Sequence, residues 1–155
     1  MPSVLELQIE WEELQLNGQT ISKQVIKDLA IKHNTTCGKW LFYVKAGEEV
    51  DRVWAKVATA IYGGTIPSIS AKVSPSRPGQ RVHVICVYND DFTDHQEVMS
   101  CERGLRELGV RHTLYYKPDA YTYLNVYSSN IWGLKPTVYT SFYNRTQGKS
   151  QIKIN

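Results

Sequence analysis

Gly38-Lys39-Trp40-Leu41-Phe42-Tyr43-Val44 and, after a short break, Val50-Asp51-Arg52-Val53-Trp54-Ala55-Lys56-Val57 set two periodicities side by side. The first run is aromatic and β-branched, opens on a glycine, and reads as a buried strand. In the second, Val50, Val53, Trp54, Val57, Ala58 and Ile61 fall on one helix face, and Gly63-Gly64 supplies the stop. A strand feeding an amphipathic helix calls for a sheet that the helix can cover.

The rest of the chain extends this pattern. Ser68 to Ser74 alternates, with Ile69, Ala71 and Val73 on one face. Pro75 to Gly79 turns the chain and Arg81 to Tyr88 returns, which makes a hairpin. Thr93 or Asp94 caps a helix to about Leu108, ended by Gly109, with Val98, Cys101, Leu105 and Leu108 as its apolar stripe. Val110 to Tyr116 is a strand, stopped by Pro118-Asp119. Tyr121 to Tyr127 and Thr137 to Tyr143 are further extended segments around a loop over 128–136. Upstream, Ile21, Val25, Ile26, Leu29 and Ala30 form a short helix to about Lys32, with Ser22 at its cap. Ser3 to Leu16 alternates partly through Val4, Leu5, Leu7, Ile9 and Trp11 to the turn signal Asn17-Gly18, and reads as a strand or a mobile leader. The expected fold class is α+β: a mostly antiparallel sheet with helices on one face. Residues 1–36 form a leader and short helix, residues 37–155 the main unit, and the whole makes one domain.

A length of 155 residues, 42% hydrophobic, suits one well-covered core and excludes wholesale disorder. The net charge of +3 is too small to indicate nucleic acid by itself. Its distribution says more. From Arg111 onward there are six basic residues against one acid, Asp119, so this end is a basic district able to draw in an anion. A solubilising surface explains the same charges. Cys37, Cys86 and Cys101 lie far apart, without metal-ligand spacing, and the four histidines are scattered, so no metal or other cofactor is expected. No apolar stretch approaches the ~20 residues of a membrane span, and no signal sequence is visible. The expected location is cytoplasmic, with the nucleus as the alternative.

Two resemblances follow from particular blocks. Gly38-Lys39-Trp40-Leu41 and Val50-Asp51-Arg52-Val53-Trp54 resemble the strand and helix of the cap-binding translation initiation factor, and the following hairpin and helix keep that order. His83-Val84-Ile85-Cys86-Val87-Tyr88, Asp91-Phe92-Thr93-Asp94, Tyr115-Tyr116-Lys117-Pro118-Asp119-Ala120-Tyr121-Thr122-Tyr123 and the run from Asn130 to Pro136 are similar to the basophilic leukaemia-expressed protein family. Both imply a curved, translation initiation factor 4E-like sheet. Cap recognition in the factor uses two tryptophans from loops upstream of the first strand. Here that region holds one, Trp11, among Glu10, Glu12 and Glu13, while Trp40 and Trp54 are expected in the core.

The factor's phosphate-holding positions imply Lys72, Arg77 and Arg81 on the hairpin as anion contacts, arginine as a fork and lysine as a point charge. Independently, seven of the ten tyrosines lie at or after Tyr115, interleaved with cations. Flat rings for bases and cations for phosphates are what single-stranded RNA requires, which singles out Lys117, Tyr121, Tyr123, Asn130, Trp132 and Lys135. Tyrosine is also an ordinary sheet residue. The expected function is a non-enzymatic RNA- or nucleotide-binding module. The alternatives are a protein-interaction module using the tyrosine-rich surface or a sheet edge, and an RNA-directed hydrolase using His83, His95 or His112 with Lys117 or Asp119. Single-stranded RNA, a nucleotide or a protein are the expected partners, and no membrane.

Overall fold

The computed structural model describes residues 1–155. Strand β1 (Gly38–Lys45) lies inside a curved six-stranded antiparallel sheet. The flanking strands are β2 (Ser70–Val73), β3 (Val82–Asn89), β4 (Leu114–Pro118), β5 (Tyr139–Asn144) and β6 (Lys149–Ile154), in the order β2-β3-β1-β4-β5-β6. Alternation along β1 assigns two faces. Trp40, Phe42 and Val44 are buried, joined by Ile85 and Val87 from β3, under helices α3 (Glu48–Tyr62) and α4 (His95–Glu107). The Trp40 indole N–H donates to the Val98 carbonyl at 2.9 Å, seating α4 on the central strand. Lys39, Leu41 and Tyr43 face the other way, beside Val84, Cys86 and Tyr88.

Gly38 owes its identity to packing. A Cβ there would sit 2.7 Å from Cζ of Tyr116, whose buried hydroxyl bonds the Asn89 side chain. Asp94 caps α4, accepting from the Glu97 N–H at 3.1 Å, and Ser22 caps α2 (Lys23–Lys32) through the Val25 N–H, as their sequence positions indicate.

Four points of the fold differ from the sequence reading or add to it. Val4–Leu16 is a helix, α1, neither strand nor leader. Its buried residues, Leu7 and Trp11, are four apart, a separation that fits both a strand face and a helix face. Ser3 caps it by accepting from the Glu6 N–H, and Leu5 and Ile9 remain exposed. Second, Tyr121 to Tyr127 is not extended. Asp119–Tyr123 forms a short helix, α5, entered through Pro118, and Val126 and Tyr127 belong to the turn beyond it. Third, residues 110–113 are a connection, and β4 begins only at Leu114. Fourth, β6 is an additional polar edge strand paired with β5. Helices α1, α2 and α5 share a second core of Leu7, Trp11, Ile26, Leu29, Ala120, Tyr121, Leu124 and Val126. Glu10 ties α1 to α2 through Lys32 and through His33 at 3.3 Å.

Candidate functional site on the open face of the sheet

Antiparallel register places Lys39 opposite Tyr88 on one side and Lys117 on the other. Leu41 is likewise flanked by Cys86 and Tyr115. These strands floor a hollow of about 720 Å³, whose rim includes Thr122, Tyr127, Ser128, Pro136 and Thr137. Its charge is cationic: Lys39 and Lys117 line it, and no carboxylate or histidine does. Its rings are Tyr43, Tyr88, Tyr115 and Tyr127, with Tyr43 and Tyr115 in edge contact at 6.3 Å. No tryptophan lines it, so it lacks a two-indole sandwich.

The two lysines differ. Lys39 is ion-paired: its ammonium lies 2.6 Å from Asp119, at the start of α5, and 3.2 Å from Thr122 Oγ1. Lys117 is only 7% exposed and donates to a single protein acceptor, the Val126 carbonyl at 3.1 Å. It sits 4.1 Å from the centre of the Tyr127 ring and has no carboxylate partner. Burial, reinforced by the neighbouring Lys39 charge, pushes its pKa down to about 8. An ammonium offers three donors, so most of this one's capacity is unspent beside an open hollow.

The residues singled out by sequence divide sharply. Lys72 stands on β2 opposite Cys86, its ammonium 5.8 Å from the Tyr88 ring, and so extends the cationic side of the same face. Arg77 lies farther along that face in a shallow depression shared with Tyr43 and Val84, and Arg81 is exposed at the entry to β3. Tyr121 is 2% exposed and packed in the second core, so its ring serves the scaffold. Trp132 meets Trp11 edge-on at 4.9 Å and donates to Gln15. Asn130 organises its own loop: its amide donates to the Tyr127 and Leu134 carbonyls, and its oxygen accepts from the Trp132 and Leu134 N–H groups. Tyr123 is half-buried against the second core, and Lys135 is exposed outside the hollow. Lys39, Tyr88, Tyr115 and Tyr127 emerge as site residues only from the strand register and the α5 turn.

The histidines are elsewhere. His83 is buried and bonded to Ser74, His95 packs on Tyr139, and His112 packs on Phe42 while bonding Glu49 at 3.1 Å. None is brought to Lys117.

A curved antiparallel sheet with helices on one face and an open, tyrosine-lined hollow on the other defines an α+β protein of the eIF4E-like fold. The family model for basophilic leukemia-expressed protein Bles03 matches residues 7–125, and the chain belongs to that family. The crystal structure of schistosome eIF4E complexed with m7GpppA and 4E-BP aligns at a TM-score of 0.51 and 18% identity, covering 68% of this chain and 58% of that one. The corresponding schistosome complex with m7GpppG and 4E-BP aligns at 0.48 and 19% identity, covering 64% and 55%. The chain therefore spans a little over half the length of these structures, and at 18% identity the likeness to the first is one of fold alone.

Proposed function

We propose that this protein is a non-enzymatic module that binds a nucleotide or single-stranded RNA in the hollow on the open face of the sheet. The carrying observation is Lys117: a buried ammonium without a carboxylate, facing a cavity ringed by tyrosines. Holding such a charge unpaired is unfavourable, and a phosphate oxygen supplies both the missing acceptor and the missing charge. Tyr43, Tyr88, Tyr115 and Tyr127 offer faces for base stacking, and Lys72 extends the phosphate-attracting edge. The fold neighbour that carries a cap dinucleotide supports the reading at the level of architecture alone.

Fluorescence titration with oligouridylate and with a nucleoside triphosphate, repeated over a range of salt concentrations, tests it. Affinity should fall as salt rises and drop about tenfold in Lys117→Met, with a further loss on adding Lys72→Met. Binding that ignores salt and survives both substitutions would sink the proposal.

A further inference from the structure

A second cationic hollow lies on the helix-covered side of the molecule, where His112 packs on Phe42. It measures about 530 Å³ and is framed by α3, the connection from α4 to β4, and the turn between β5 and β6. Arg52, Lys56, Arg111 and Arg145 line it against a single carboxylate, Glu49. That carboxylate is engaged by His112, and none of the four cations has an ion-pair partner. Arg52 and Lys56 are exposed and sit four residues apart on one face of α3, a like-charge arrangement that disfavours the helix unless an anion lies between them. Arg111 is held in place. Its guanidinium stacks 4.3 Å from the Tyr143 ring centre, and one terminal nitrogen donates to the Arg106 and Val110 carbonyls, leaving the rest of the fork free. Val53, Leu108 and Val110 supply an apolar floor that strengthens charge interactions above it.

The carbonyl end of α4 also favours nearby cations, which accounts for Arg111. It does not account for Arg145, which reaches the same hollow from a separate hairpin. Three arginine forks and a lysine around one cavity exceed what a single carboxylate ligand can satisfy, and they match several adjacent phosphoryl oxygens. We propose that this hollow is a diphosphate-binding site, distinct from the open face of the sheet and independent of its function.

Inorganic pyrophosphate titrated into the full chain, followed by backbone amide chemical shifts, tests this. The amides of Gly109, Val110, Arg111 and His112 should shift saturably and more weakly at higher salt. Arg52→Gln combined with Lys56→Gln should weaken the fitted affinity about tenfold. Both side chains are exposed and repel one another without an anion, so melting in anion-free buffer should be unchanged or slightly raised, and Arg145→Gln alone gives a second variant with a several-fold loss. Running the titration in the Lys117→Met background separates the two surfaces, because the response at 109–112 should persist there. A nucleoside diphosphate that binds more tightly than pyrophosphate identifies a nucleotide as the source, and equal affinity identifies a free diphosphate. No saturable shift at these amides, or an affinity indifferent to the α3 and Arg145 substitutions, overturns the proposal.

Discussion

Two cationic side chains are buried to nearly the same extent, Arg106 at 8% exposure and Lys117 at 7%, and their surroundings are opposite. Arg106, on α4, spends every nitrogen. Nε bonds Glu102 and Ser150, one terminal nitrogen reaches the Val110 and His112 carbonyls, and the other reaches Ser141 twice. Glu102 also accepts from the Ser141 hydroxyl, so the network closes on itself. Lys117 has one backbone carbonyl and a tyrosine ring. A buried cation whose donors are all matched fastens elements together. One left short of acceptors at the edge of a cavity is poised for a partner from outside.

Removing each cation should therefore have opposite consequences. Arg106→Met strands Glu102 as an unpaired interior charge and should cost about 3–5 kcal/mol in denaturant unfolding. A loss below that of an ordinary surface substitution would erase the distinction. Lys117→Met removes an unfavourably buried charge, so stability at neutral pH should hold or rise by about 1 kcal/mol while the affinity for nucleotide falls. The pH dependence sharpens the contrast. The folded chain releases the Lys117 proton near pH 8, whereas the unfolded chain keeps it to about 10.5, so the unfolded state binds more protons in that window. Lys117 should therefore make stability increase from about pH 8 and level off above 10.5, a component absent from Lys117→Met when the two unfolding profiles are subtracted. Bound phosphate should hold the proton on and shift the onset upward. The smallest effect is expected from Tyr127→Leu, which removes the ring over Lys117 and should lower ligand affinity by about 0.5–1 kcal/mol in the same titration.

The central strand, α3, the hairpin and α4 were legible because each carries a complete apolar face of one period. Three segments hid their structure for separate reasons. Leu7 and Trp11 satisfy both periods at once, and only the packing of α1 on α2 decides between them. The tyrosines of 121–127 suggest a strand by propensity, but Pro118 and Asp119 start a helical turn that second-core burial of Tyr121 completes. In β6, Lys149 to Ile154 is polar and largely exposed because an edge strand covers little core. At the candidate site, Lys117 was marked by its place among tyrosines and cations, and Lys72, beside the hollow, by the resemblance to the cap-binding factor. Lys39 was not, since its importance lies in being opposite Tyr88 and Lys117 at once, a property of register rather than of neighbours in sequence. Asn130 and Trp132 carried ligand-like chemistry, yet local hydrogen bonds and the Trp11 contact consume it.

The floor of the open hollow is regular sheet, while part of its rim, Tyr127, Ser128, Pro136 and Thr137, belongs to the single excursion between α5 and β5. In the proposed function, attraction and selection would fall to different stretches of polypeptide. Exchanging Ser128, Pro136 or Thr137 would recut the entrance, while Val126 and Tyr127, which hold the Lys117 ammonium, would have to stay. Variants of one scaffold could in this way admit ligands of different breadth, provided that Val126, Trp132 and Leu134 kept their contacts with the second core.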